Sequence, residues 1–208
     1  MSQHFHLHPD NPQPRLIREA VKLLRSGGVM VYPTDSCYAL GCMIGNKEGM
    51  ERIRALRGVD DKHMFTLICR DLSEIARFAI VDNKQYRMLK AATPGGYTFI
   101  LEATKEVPRR LQHPKRSTIG LRVPEHAVVA SLLAELDEPI LSMTLQLPGD
   151  EYPLNDPEDI LDRIGNRIDV VLDNGFCGIE PTTVVDLTGA APELIRRGTG
   201  DVRQLGFD

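Results

Sequence analysis

The sequence predicts an α/β fold with a mixed sheet, and three observations carry that prediction. Short apolar runs alternate along the chain with longer stretches whose apolar residues recur at helical spacing. The helical stretches close on stop signals: Ser26-Gly27-Gly28, Arg57-Gly58 and Thr93-Pro94-Gly95-Gly96. The last three apolar runs, DVVLD, TVVDL and ELIRR, do not alternate regularly with helices, which favours some antiparallel pairing.

Each element has its own justification. His4, His6 and His8 alternate, so on a strand they share one face. That is the pattern of a metal claw, but no carboxylate or cysteine completes a ligand set, so the favoured reading is a solvated edge strand at a terminus, and no metal site is expected. Pro14 opens a helix with Leu16, Ile17, Ala20, Val21 and Leu24 in one stripe. VMVY (29–32) is a continuous apolar run, the pattern of a strand buried on both faces. Asn46 caps a helix carrying Met50, Ile53 and Leu56. FTLIC (65–69) is a buried strand, Asp71 caps a short helix, and another helix spans about 82–92. YTFILEA (97–103) and TIGLRV (118–123) are strands around a basic loop. Pro124 starts a helix with Val128, Val129, Leu132, Leu133 and Leu136 inward, and PILSMT (139–144) is a strand. Asp156-Pro157-Glu158-Asp159 combines cap, proline and first-turn acids ahead of the stripe Ile160, Leu161, Ile164 and Ile168. About eight strands and six helices result, in one domain spanning 1–208 with no repeat or linker.

Composition narrows the class. The 208 residues suffice for a core without staples, and that core must be aliphatic because the chain has no Trp. The net charge of −4 names no partner, but its distribution is uneven. Between residues 105 and 122, Lys105, Arg109, Arg110, Lys115, Arg116 and Arg122 face Glu106 alone, so an acidic chain can still present a cationic surface. Cys37, Cys42, Cys69 and Cys177 form no C-x-x-C pair and match no zinc spacing. With no signal peptide and no apolar run approaching ~20 residues, the expectation is a cytoplasmic protein with reduced thiols and no membrane contact.

Chemistry is expected beyond the strand ends, where open α/β sheets bind ligands. PTDS, SMTLQ and EPTT place hydroxyls at three such points, and Arg57, Arg122 and Arg196 lie near further element ends. Hydroxyls, backbone N–H groups and arginines suit a phosphate or carboxylate. Taken singly, each such Thr or Ser is better read as a turn former. Neither common nucleotide-binding glycine motif is present, and no G-x-S-x-G elbow exists. His63 and His113 sit in polar loops and read as exposed side chains.

PTDSCYALG, TIGLRVPEH, PTTVVDLT and LIRRG, in that order and spacing, resemble the YrdC/YciO family of threonylcarbamoyl-adenylate synthase relatives, and within it the YciO branch. The resemblance covers almost the whole chain. It implies a twisted mixed sheet with flanking helices around a concave basic cavity, a YrdC/RibB-like fold. It further implies an L-threonylcarbamoyladenylate synthase, which makes threonylcarbamoyl-AMP and pyrophosphate from L-threonine, bicarbonate and ATP with Mg²⁺ for the t6A modification of tRNA. Thr34, Tyr38, Cys69, Arg122, Ser142, Thr182 and Thr183 then fall at substrate-binding positions. Arg57, Lys62, Thr118, Thr144, Gln146 and Arg196 fall at ATP-binding positions, with Arg57 the catalytic cation. Gly41 would let the backbone pass close behind the polar cluster.

Two motifs depart from the synthase pattern. Its K-x-R reads Ala55-Leu56-Arg57 here, and its S-x-N reads Thr144-Leu145-Gln146. A cation directed at the attacked phosphate is worth on the order of 3 kcal/mol, so weakened adenylate formation is expected. The alternative is a non-catalytic protein binding a nucleotide, or double-stranded RNA or tRNA, with Arg109, Arg110, Lys115 and Arg116 as the RNA candidates. An acidic chain without an aromatic stacking motif speaks against RNA.

Overall fold

The computed structural model describes residues 2–208, organised around one ten-stranded sheet. Its strands are β1 (Gln3–His6), β2 (Met30–Tyr32), β3 (Ala39–Met43), β4 (Thr66–Ile68), β5 (Tyr97–Glu102), β6 (Thr118–Arg122), β7 (Ile140–Thr144), β8 (Val170–Asp173), β9 (Thr183–Asp186) and β10 (Glu193–Arg196). The helices are α1 (Pro14–Arg25), α2 (Lys47–Arg57), α3 (Leu72–Phe78), α4 (Asn83–Ala92), α5 (Ala127–Leu136) and α6 (Pro157–Ile164). The strand order is β1-β8-β2-β3-β7-β4-β6-β5-β9-β10. β1/β8, β8/β2, β4/β6 and β5/β9 are parallel, and the other pairs are antiparallel, so the sheet is mixed.

Local chemistry sets the element ends. Asn46 accepts from the Gly49 amide at the start of α2, and Gly58 closes that helix at φ 62°, a backbone region open to glycine. Asp71, Asp82 and Asp156 cap α3, α4 and α6, Asp82 within a full capping box. α5 begins at Ala127, three residues later than Pro124 suggests, with His126 as its cap. The delay has a cause: the Glu125 amide donates to Asp35 Oδ2 at 2.9 Å, which commits this stretch to an extended path.

β3 is a strand that the sequence reading passed over. Ala39-Leu40-Gly41-Cys42-Met43 lacks alternation and carries a glycine, both of which weaken a strand signal. Packing explains the glycine differently from the expectation. A Cβ at Gly41 would lie 2.8 Å from both Ile140 Cγ2 and Tyr32 Cε1, so Gly41 makes room for the buried Tyr32 ring.

The expected edge strand is present, since among the described residues β1 pairs with β8 alone. The premise that no carboxylate completes a ligand set needs correction. Asp173, at the end of β8, lies 2.8 Å from both His4 Nε2 and His6 Nδ1. His8 does not join them; its Nδ1 accepts from the Asp10 and Asn11 amides.

The sheet separates two apolar layers. α1 and α5 pack Ile17, Val21, Leu24, Val129, Leu132 and Leu136 against Met30, Ile68, Ile140 and Val170. Residues of α2, α3, α4 and α6 cover the opposite face, with Ile53, Ile75, Leu89 and Ile160 against Leu67, Phe99, Leu121 and Leu141. Side chains alternate along each strand, so Ser142 and Thr144 share the face of Ile140, and Thr66 shares that of Ile68. α1 and α5 therefore cover one end of their face, and a hydroxyl-bearing stretch of it is left open. Among the described residues, no helix is long and apolar enough to cross a membrane.

Candidate functional site

A cavity of about 310 Å³ occupies that open stretch. Its floor is cross-strand register made visible. Ser142, Thr66, Gly120 and Ile100 are successive partners across β7, β4, β6 and β5, and all four line it. Thr98 and Thr118 add hydroxyls on the same surface. Gly120 keeps the floor flat: a Cβ there would stand 3.3 Å from Thr66 Oγ1. Arg57, Arg116, Arg122 and Arg196, with His63 and His113, line the walls, and no carboxylate lines the cavity among the described residues.

The arginines differ in what they already hold. Arg122, a buried residue at the end of β6, donates through one terminal nitrogen to Asp35 Oδ1, while its Nε is buried without a hydrogen-bond partner. Arg57 ends α2, gives Nη1 to the Gln146 carbonyl, and likewise leaves a buried Nε unpartnered. Burial lowers the affinity of Arg57 for its proton. Arg196, at the exposed end of β10, donates from Nε and Nη2 to the Thr182 carbonyl at 3.1 and 2.9 Å. Arg116 meets Asp186 at 3.2 Å, and the turn that presents it is organised by His113 Nδ1, which accepts the Arg116 amide at 3.2 Å. Burial and then the Arg57 charge hold His63 below its usual value.

The PTDS stretch divides its labour. Thr34 is buried outside the lining, donating to the Cys37 carbonyl at 2.7 Å and accepting the Ser36 and Cys37 amides. It builds the turn that presents Ser36 and Cys37 to the cavity. Asp35 accepts from Arg122 on Oδ1 and from the Glu125 amide on Oδ2. Burial pushes the Cys37 thiol up to about 11.

The structure gathers many of the expected residues and leaves others aside. Arg57, Thr118, Arg122, Ser142, Thr144, Gln146, Thr182 and Arg196 all line the cavity. Tyr38 does not: its ring is in the core, and its hydroxyl donates to the Gly175 carbonyl at 2.7 Å. Cys69 is wholly buried behind the sheet, and Thr183 donates to the Gly200 carbonyl at 2.6 Å. Lys62 is exposed and outside the lining. Arg109, Arg110 and Lys115 are exposed on the 105–117 loop, while only Arg116 turns to the cavity. Ser36 belongs to the PTDS hydroxyls already singled out, whereas Cys37, Thr66 and Thr98 went unassigned; His63 and His113, read as exposed loop side chains, stand at the cavity rim, His63 exposed and His113 half-buried. Thr66 and Thr98 had a signal, a hydroxyl two positions from Ile68 and Ile100 on one strand face. The histidines had none, because a loop residue's direction depends on the fold.

Fold and lining together define a class: open α/β-sheet proteins with a cavity of hydroxyls and arginines on one sheet face. The chain belongs to the Sua5/YciO/YrdC family, whose model, described as "Telomere recombination", matches residues 22–198. It is 55% identical over 203 residues to the uncharacterised protein YciO of Escherichia coli K12, covering 98% of each chain. The crystal structure of E. coli YciO superposes with a TM-score of 0.95 at 54% identity, covering 99% of this chain and 100% of that one. A threonylcarbamoyl-AMP synthase of Halorhodospira halophila is 29% identical over 191 residues, covering 91% of this chain and 98% of the synthase. P. abyssi Sua5, crystallised with L-threonine, shares the fold with a TM-score of 0.85 at 22% identity, covering 95% of this chain and 58% of that one.

Proposed function

We propose that the cavity binds ATP and a small amino acid and joins them, through bicarbonate, into a carbamoyl-adenylate, with L-threonine the first substrate to test. The observation that carries this reading is the buried, unpartnered Nε of Arg122 among four arginines, in a lining without a carboxylate. A buried N–H donor without an acceptor is costly, and an anionic guest supplies the acceptor.

Each part of the lining has a role in this account. Asp35 holds the Arg122 guanidinium by one terminal nitrogen, leaving Nε for the amino acid's carboxylate. Thr66, Thr98, Thr118 and Ser142 orient polar atoms over the floor. Arg57 and Arg196, both in the lining, are the cations this reading assigns to the phosphates. Mg²⁺ has no carboxylate ligand in the lining and would arrive on the nucleotide's phosphates with its own waters.

Turnover is expected to be slow. Ala55 carries no charge, and the Arg54 guanidinium lies 5.2 Å from the Phe65 ring centroid, so neither supplies the missing cation. Arg57 remains, already engaged with Gln146. Losing one directed cation costs on the order of 3 kcal/mol, roughly a hundredfold in rate.

The test is pyrophosphate release from ATP, Mg²⁺ and bicarbonate with each amino acid in turn. Release that depends on an amino acid and disappears in Arg196→Gln supports the proposal. No release, together with salt-sensitive binding of double-stranded RNA or tRNA that is weakened by Lys115→Glu, would replace it with the RNA reading.

A further inference from the structure

We propose that His4, His6 and Asp173 form a binding site for a divalent transition-metal ion at the β1 edge of the sheet. The site follows from register. β1 and β8 are parallel, and His6 stands opposite Asp173. His4 and His6 are two residues apart, so both project to one face and flank the carboxylate.

The geometry is that of a nearly closed ligand set. His4 Nε2 and His6 Nδ1 each lie 2.8 Å from Asp173 Oδ2, and the three ligand atoms lie within 4.8 Å of one another. Around a tetrahedral ion with metal–ligand bonds of ~2.0–2.2 Å, ligand atoms sit roughly 3.3–3.6 Å apart. Against the 2.8 Å found, outward movement of about 0.5–0.8 Å by each ring would therefore seat an ion. The other carboxylate oxygen, Oδ1, accepts the Gly175 amide at 2.8 Å, which fixes the plane of Asp173 and leaves Oδ2 for the metal. Asp173 is mostly covered while the His6 side chain is 77% exposed, so the site has an anchored base and an open side for entry and for water.

The donor set selects the metal class. Two imidazole nitrogens and one carboxylate oxygen suit Zn²⁺, Co²⁺, Ni²⁺ or Cu²⁺ better than Mg²⁺ or Ca²⁺, which prefer oxygen throughout. The site is separate from the cavity described above, since none of its three residues lines that cavity. The competing account is two neutral imidazoles that each donate one N–H to a shared carboxylate.

Untagged, chelator-treated protein titrated with Zn²⁺ by calorimetry separates the two. The proposal expects one equivalent bound with a micromolar or lower dissociation constant. Binding should fall at least tenfold in His6→Gln, whose exposure makes it safe for folding, and stay within twofold in His8→Gln. With Co²⁺, the His4 and His6 ring resonances should shift together at one equivalent. Absence of binding below 100 μM Zn²⁺, or binding that survives His6→Gln, overturns the proposal in favour of the hydrogen-bonded pair.

Discussion

The Asp35–Arg122 pair offers the sharpest perturbation. Both side chains are largely buried, with 13% and 8% exposure, and Asp35 also accepts the Glu125 amide. Asp35→Asn keeps the shape and removes the charge that balances a buried guanidinium. Breaking one side of a buried pair costs about 3–5 kcal/mol, and the lower end applies here because the cavity admits water to Arg122. At ~2–4 °C per kcal/mol for a chain of this size, Tm should fall by about 6–12 °C. Urea unfolding followed by circular dichroism measures the loss directly, with an unchanged m-value expected. Two further outcomes follow from the same reasoning. Inorganic phosphate should stabilise Asp35→Asn more than the parent, because it supplies the missing negative charge. Asp35→Leu combined with Arg122→Met should cost less than the sum of the single substitutions. Additive effects, or a loss below about 1 kcal/mol for Asp35→Asn, would refute the pairing argument.

Three other predictions rest on separate features. Burial pushes Cys37 and Cys177 up to about 11 and Cys42 up to about 12, so at pH 8 each thiol is at most about one part in a thousand thiolate. Alkylation of the native protein should be slow at that pH and accelerate only above pH 10; rapid labelling of any of these three at pH 7.5 contradicts the burial. His63 should titrate below 6.5 by NMR because burial and Arg57 disfavour its charged form. The unfolded chain therefore binds the proton first, so this group lowers stability as pH falls below 6.5, and a bound polyanion beside Arg57 should move the midpoint upward. Ala55→Lys combined with Gln146→Asn should raise amino-acid-dependent pyrophosphate release at least tenfold, and an unchanged rate would show that these two positions do not limit turnover.

Much of the frame was legible because period and punctuation agreed. Apolar runs such as VMVY and FTLIC, too short for helices, read as buried strands, and Asn46, Asp71 and Asp156 announced helices that the structure caps with those residues. β3 was lost because a glycine chosen to fit the Tyr32 ring reads, in sequence, as a weak strand. In the candidate site, Arg122 and Thr144 were legible at strand ends, Thr182 just before β9, and Ser142 within the SMTLQ stretch. Tyr38 and Thr183 fall outside the lining because a strand-end side chain can point either into the hollow or into the core, and here neighbouring backbone carbonyls take both hydroxyls. His63, His113 and the Asp173 contact with β1 depend on long-range juxtaposition, which no local spacing encodes.

Titration of the wild-type protein with MgATP and then with L-threonine, by calorimetry, bears most directly on the cavity as a site for anionic substrates. Saturable heats for both ligands, reduced for the nucleotide by Arg196→Gln and for the amino acid by Arg122→Gln, are the predicted result. No heat from either ligand at millimolar concentration, or heats untouched by both substitutions, would contradict it.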